Sequence, residues 1–336
     1  MLAKHVSRWL PALAAGTLVA AAWGQSIVSA RAGAIHHIEG RVLVDDEPIE
    51  KKFGEFPNLA EGSLLRTELG RAELLLTPGV IVRLGEEGAL RMLSTRLTDT
   101  KLELVAGTAL IEAMEILPDN SVTVLLEGSE ILILEKGLYR IAAETGELRV
   151  YKGKATLRAG DQKLEVKKGR RLALGAETLA AQRFDTEETD ALYRWSARRS
   201  GYLALANLSA AKSLLDWGVP WRSSGWYWNP YFGMFTFVPS SGLFHSPFGY
   251  SFWSPSRVYY YIYPPQPVPS GWGGGGMERY NPDLGYVTVS GRSAPSAPAP
   301  APQAGTGSAP AAAEMESPRT GGSASPRGEG GCTGCR

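Results

Sequence analysis

The stretch GSLLRTELGRAELLLTPGVIVRLGEEGALRM (residues 62–92) decides how this chain is read. Within it, Arg71-Ala72-Glu73-Leu74-Leu75-Leu76 and Val80-Ile81-Val82-Arg83-Leu84 set charged side chains among aliphatic ones, and Gly70, Pro78-Gly79 and Gly85 punctuate the runs. Successive strand residues point to opposite faces, so this alternation predicts short strands with one apolar and one wet face, reversed at glycine turns. A chain built this way has little room for a catalytic loop. It favours a binding or signalling module over an enzyme.

The unit recurs. Lys101-Leu102-Glu103-Leu104-Val105 runs to Gly107, Val122-Thr123-Val124-Leu125-Leu126 to Gly128, and Ile131-Leu132-Ile133-Leu134 to Gly137. Gly146, Gly153, Gly160 and Gly169 continue at close to the ~8–12-residue spacing of sandwiches, barrels and solenoids. An all-β domain over residues 36–176 follows, with sandwich and solenoid both compatible with the spacing.

Composition narrows the partners. Lys and Arg number 35 against 34 Asp and Glu, a formal net charge of +1, so no sustained positive field exists to hold a phosphate backbone and nucleic acid is not expected. At the N-terminus, Lys4 and Arg8 precede an apolar run from Trp9 to Trp23, and Ala22-Trp23-Gly24 offers small residues at a cleavage site before Gln25. Residues 1–24 therefore read as a secretory signal. The run is shorter than the ~20 apolar residues of a spanning helix and contains Pro11. No transmembrane helix is expected in the mature chain, whose expected location is periplasmic or extracellular.

After the β region the period changes. Asp185-Thr186-Glu187-Glu188 has the form of a capping box, and Leu192, Trp195, Leu203, Ala206, Ala210 and Leu214 share one side at 3.6 residues per turn. An amphipathic helix over 185–216 is predicted. Arg199 interrupts its apolar side, which reads as a side chain snorkelling to water from a helix packed on the β domain, or as part of a docking helix.

Residues 217–272 are aromatic, rich in Gly and Pro, and hold six of the nine tryptophans. Pro and Gly at this density forbid a long helix or central strand, while so many rings are too apolar to remain unpacked. The segment either folds back over a sheet face or edge, or presents a stacking platform for sugars or a protein-binding surface. The candidate contact residues are Trp226, Tyr227, Trp228, Tyr231, Phe252 and Trp253. From 273 to 336 a Gly run and SAPSAPAPAPQAGTGSAPAAA (293–313) predict an irregular, disordered tail. Cys332 and Cys335, the only cysteines, supply half of a four-ligand zinc site and read as a disulfide in an oxidising compartment.

Catalytic signals are thin. There is no Gly-x-Ser-x-Gly elbow, no His-Glu-x-x-His and no phosphate-binding glycine loop. His36-His37 on a regular strand would point to opposite faces and not chelate together, and Asp45-Asp46 and Glu86-Glu87 read as solvated turns. No cofactor and no metal are expected.

Six ordered pieces of the chain carry a family resemblance: EGRVLVDD (39–46), EGSLLRTELGRAELLLTPGVIVRLGEEGALRM (61–92), LELVAGTALIE (102–112), KGLYRI (136–141), GELRVYKGKATL (146–157) and VKKGRRLAL (166–174). In this order they resemble the FecR domain, the extracytoplasmic β domain of iron-dicitrate-type signal transducers. The resemblance covers about two fifths of the chain, and its motifs are structural glycines and aliphatics. In that family a cytoplasmic segment restrains a sigma factor, a single helix crosses the inner membrane, and the β domain receives a signal from an outer-membrane receptor. Here a signal peptide stands where the first two would be. What the resemblance implies is a secreted FecR-like protein-interaction module. Together these readings give an exported, non-enzymatic protein that recognises an envelope protein, an outer-membrane receptor among the options, or a glycan. The alternative is a polysaccharide- or peptidoglycan-binding protein using the aromatic segment, and a hydrolase is the third reading.

Overall fold

The computed structural model describes residues 32–50, 52–175 and 179–263, with the backbone of the short strands at 27–28, 277–281 and 285–289. The expected signal, residues 1–24, and Cys332 and Cys335 lie outside the described residues.

In the first compact unit, Met1–Pro267, strand β1 (Ile27–Val28) precedes a 15-stranded sheet. Its first part is β2 (Ala34–Val44), β3 (Glu47–Pro48), β4 (Leu64–Leu75), β5 (Val80–Leu84), β6 (Ala89–Arg96), β7 (Asp99–Ala106) and β8 (Thr108–Ala113). Its second part is β9 (Val122–Leu126), β10 (Ser129–Ile133), β11 (Gly137–Ala142), β12 (Glu147–Lys152), β13 (Lys154–Ala159), β14 (Gln162–Lys167), β15 (Arg170–Ala173) and β16 (Gln182–Arg183). The spatial order is β14-β13-β10-β9-β7-β6-β4-β5-β8-β11-β12-β15-β16, with β2 on β4 and β3 on β2. Every described pairing is antiparallel except β7 with β9. Residues from both ends of that path, Ile131, Leu157 and Val166 with Ile141 and Leu172, meet in one buried apolar cluster. The sheet thus curls over its own inner face. The antiparallel order and shared core give one continuous, curled all-β layer around a single apolar interior.

The turns follow residue chemistry. Asp45 and Asp46 both sit at positive φ (50° and 66°) in the two-residue reversal between β2 and β3, a conformation in which the twist of the turn matches that of the strands. The Asp45 carboxylate also accepts from the Leu64 amide at 2.8 Å, so this acidic pair is a turn, as its sequence suggests. Gly40 and Gly70 face each other where β2 crosses β4; a Cβ on Gly40 would lie 2.1 Å from the Leu69 carbonyl oxygen, and its φ is +67°.

Helix α1 (Ala191–Asp216) lies on the outer face of the β2–β4–β5–β8 region. It begins five residues later than the capping-box motif predicts. Asp190 is the N-cap, its side chain accepting from the Tyr193 amide at 2.7 Å, whereas Asp185 accepts from the Glu187 amide in a preceding turn. Both acidic residues offer the same short acceptor, and the backbone takes the one adjoining the apolar face. The helix stops at Gly218 (φ +63°), where the Gly218 and Val219 amides bond to the Leu215 and Leu214 carbonyls and Pro220 follows.

The aromatic segment is more regular than its composition suggests. It forms β17 (Gly225–Asn229), β18 (Met234–Val238), β19 (Leu243–His245), β20 (Ser251–Trp253) and α2 (Pro255–Ile262), with β1, β17 and β18 in a small separate sheet. Pro and Gly keep the pieces short without preventing them. Trp226, Phe235, Phe237 and Phe252 join Leu203 of α1 and pack on Ala34, Leu75, Ile81 and Met114 of the sheet. Helix and aromatic segment together form a cap over what the alternation predicted to be a wet face. Among the described residues no helix is long and apolar enough to cross a membrane.

In the second unit, Val268–Arg336, the described backbone is one antiparallel hairpin, β21 (Met277–Asn281) with β22 (Gly285–Val289), inside the stretch expected to be irregular.

Candidate functional site

Under the cap lies a buried ionic network that the strand alternation does not announce. Glu73 of β4, Arg83 of β5 and Glu112 of β8 are each 0% exposed. Arg83 donates from Nε to Glu73 and from Nη1 to Glu112, both at 2.7 Å. From α1, Arg199 donates to Glu73 at 2.8 Å and the Ser200 hydroxyl to Glu112 at 2.7 Å. Arg199 therefore does not snorkel to water. It is buried, and its charge is met from the sheet below.

His36 completes the network through a strand irregularity. The register of β2 against β4 shifts between Ile35 and His37, which pair with Leu74 and Glu73, so His36 is the extra residue of a β-bulge. The bulge puts both imidazoles on the cap side: His36 contacts Glu73, and His37 lies 6.3 Å from the Trp195 ring of α1. The expectation that these neighbours point to opposite faces fails for this reason. His36 Nε2 accepts the Phe235 amide of β18 at 3.0 Å, which assigns the proton to Nδ1, donating to Glu73 at 2.9 Å. Burial lowers the His36 pKa against the opposing pull of Glu73, with Arg199 and Arg83 lowering it further. Burial alone would raise Glu73, but Arg199 and Arg83, with the His36 hydrogen bond, hold it well below the usual carboxylate range.

Asn207 clips the cap to itself. Its side-chain amide donates to the Phe237 and Trp253 carbonyls and its oxygen accepts from the Trp253 amide at 2.6 Å. Asn229 does the same at the β17–β18 turn, donating to the Ala206 carbonyl and accepting from the amides of Tyr231 and Phe232. The turn is thereby fixed from both sides, and it holds Tyr231 (81% exposed) and Phe232 (43%) outward.

Beside that turn is a pocket of about 170 Å³ whose walls include Ile38, Ile49, Phe56, Phe232 and Met234. Phe53, 82% exposed, stands at its edge against Gly233 and 6.4 Å from Trp228, while Glu50, Lys52 and Glu55 add charge to its lining. Ligand pockets for drug-sized molecules run to about 300–1,000 Å³, and a dry cavity of roughly 150 Å³ holds one benzene ring. This pocket has the capacity of a single side chain.

The six candidate contact residues divide. Trp226, Tyr227 and Phe252 are at most 2% exposed and belong to the core, where each ring gains more from packing than a surface position would give it. Tyr231 is at the surface. Trp228 is half-buried against Phe53, Phe56 and Phe235, and Trp253 is half-buried against Tyr261, in a different group of side chains. Sequence reasoning missed Phe53, Phe56 and Phe232. Phe53 and Phe56 stand in a charged loop that carries no periodic signal. It also missed Asn207, whose signal is a polar residue on the apolar side of α1, eight positions beyond Arg199. Among the described residues no three His, Cys, Asp or Glu side chains converge as a metal site.

Fold and face together define an all-β protein with a helix-and-aromatic cap and a small aromatic-edged pocket. No protein-family profile matches the chain, and no curated protein matches it in sequence. Among solved structures it is similar to two crystal structures of a candidate anti-sigma factor from Parabacteroides distasonis ATCC 8503. The first is 15% identical with a TM-score of 0.32, the match covering 36% of this chain and 59% of that one, less than two thirds of its length. The second is 16% identical with a TM-score of 0.32, covering 45% and 71%.

Proposed function

We propose that this chain is an exported, non-enzymatic, FecR-like recognition module that binds a protein of the cell envelope at the Phe53–Tyr231–Phe232 face. Export rests on the signal-like N-terminus, and the family reading on the ordered strand motifs between Glu39 and Leu174. The observation that carries the binding reading is the β17–β18 turn. Exposed aromatics are costly to keep in water, yet Asn229 spends three hydrogen bonds holding this turn with Tyr231 and Phe232 outward. Fixed rings beside a pocket of one-side-chain capacity match the anchor-and-pocket arrangement of protein interfaces, where aromatic residues carry much of the binding energy.

The test is crosslinking in intact cells with a photoreactive phenylalanine analogue at position 231. A discrete protein adduct, lost when Phe53 is replaced by Ala, is the expected result. Adducts only to glycan, displaced by soluble polysaccharide, would move the assignment to the carbohydrate reading. Retention of the folded protein in the cytoplasm with an intact N-terminus would overturn the export assignment.

A further inference from the structure

We propose that His36 is a proton-operated latch: uptake of one proton at Nε2 breaks its bond to the Phe235 amide and loosens the cap from the sheet. The inference rests on the geometry beneath the cap and stands whether or not the Tyr231 face binds a protein.

Nε2 is the acceptor of a main-chain N–H, a role open only to the unprotonated nitrogen. A proton there sets donor against donor in a place sealed from water, His36 being 5% exposed and its side chain 0%. The surrounding charges do not absorb the change. Facing His36 are Glu73 from β4, Arg83 from β5 and Arg199 from α1, with Glu112 of β8 behind Arg83. Phe56 stacks on the ring at 5.4 Å, and β18 contributes the Phe235 amide and ring. Two carboxylates and two guanidiniums balance while His36 is neutral. Protonation adds an unbalanced positive charge, and Glu73 is already engaged by both arginines. On the pocket side His37, Glu50, Lys52 and Glu55 share the lining with His36, and Glu39 bonds His37.

A second observation shows that the closed state is poised. Arg83 Nη2 and Arg199 Nε are buried without a hydrogen-bond partner among the described residues. Both would be hydrated on opening, which favours the open state and narrows the gap a proton must overcome. Opening uncovers Trp226, Phe235 and Phe237 on the cap and Ala34, Leu75, Ile81 and Met114 on the sheet, an apolar face hidden in the closed state.

The sign follows from linkage. Burial depresses the pKa of His36 in the closed state below its ordinary 6.5, so the open state binds the proton more readily. Closure is fully favoured above about pH 6.5 and weakens as pH falls towards the closed-state value, the open-to-closed ratio rising about tenfold per pH unit. Full-length protein is followed by hydrogen exchange of peptides spanning 225–238 between about pH 8 and pH 5, corrected for intrinsic rates, with β-sheet circular dichroism recorded in parallel. Expected is a loss of protection below about pH 6.5 with the sheet signal unchanged. In His36→Gln, whose side-chain carbonyl keeps an acceptor for the Phe235 amide, that pH slope disappears. Flat protection in the wild type, or the same slope in His36→Gln, overturns the latch. Should His36→Gln not fold, imidazole nitrogen NMR of the wild type decides: a proton on Nε2 at neutral pH contradicts the mechanism, and one on Nδ1, joined by a second on Nε2 on acidification together with the loss of protection, supports it.

Discussion

Replacing Arg83 by Met tests the central feature of the packing. Among the described residues Arg83 is the only guanidinium that bonds both buried carboxylates, at 2.7 Å each. Methionine fills a similar volume and leaves no large cavity, so the change acts mainly through charge. Without Arg83, Glu73 keeps Arg199 and His36, while Glu112 keeps only the Ser200 hydroxyl at 2.7 Å. The network then carries one uncompensated negative charge away from water. Breaking a buried pair on one side costs about 3–5 kcal/mol. For a folded unit of this size that is a fall in melting temperature of roughly 6–20 °C. Replacing Arg83 by Met and Glu112 by Leu together removes both charges and is expected to recover at least half of the loss, less about 1 kcal/mol for the bond Ser200 forfeits. The assay is urea and thermal unfolding followed by tryptophan fluorescence and circular dichroism. If Arg83→Met costs less than about 1 kcal/mol, the face is hydrated and the cap does not seal it. A double variant no more stable than the single one would locate the cost in packing and not in charge.

Trp226→Ala should lose about 3–5 kcal/mol, because a fully packed indole leaves a large void, whereas Tyr231→Ala should stay within about 0.5 kcal/mol while abolishing the in-cell adduct formed when the photoreactive analogue is placed at position 53 instead; denaturation and crosslinking run side by side distinguish the two roles. Asp190→Ala removes the α1 cap and should cost about 1 kcal/mol, the partly exposed Arg140 ion pair adding little, as read from unfolding midpoints. Gly40→Ala combines a left-handed backbone with a Cβ driven against the Leu69 carbonyl and should cost more than about 3 kcal/mol, or prevent soluble expression; an unchanged midpoint would show that β2 does not cross β4 where Gly40 meets Gly70.

What can be read from the residues alone depends on how local its physical cause is. Period-two alternation and glycine punctuation are properties of neighbouring residues, so the β domain, its turns at Asp45-Asp46 and Glu86-Glu87, and the apolar side of α1 through Leu192, Trp195, Leu203, Ala206, Ala210 and Leu214 were all visible in the chain. The start of α1 was not, because Asp185 and Asp190 offer equivalent caps and only packing selects one.

The burial of the polar side of the sheet is invisible in the pattern for a related reason. Glu73, Arg83 and Glu112 occupy the positions where a half-exposed strand carries polar residues, and a one-dimensional pattern is the same whether water or a helix lies beyond them. Only the folded chain brings Arg199 and Ser200 from far along the sequence to these side chains, and desolvation then converts ordinary surface charges into a network that must be paired to exist. His36 and His37 share a face because of a bulge whose register is set by pairing with β4. Trp226 and Tyr231, five residues apart in the same hairpin, look alike as letters, yet one is core and the other surface. Sequence determined that this chain builds a sheet and a helix; tertiary structure decided which of its charges and rings ever meet water, because burial is a property of what packs against a residue and not of the residue itself.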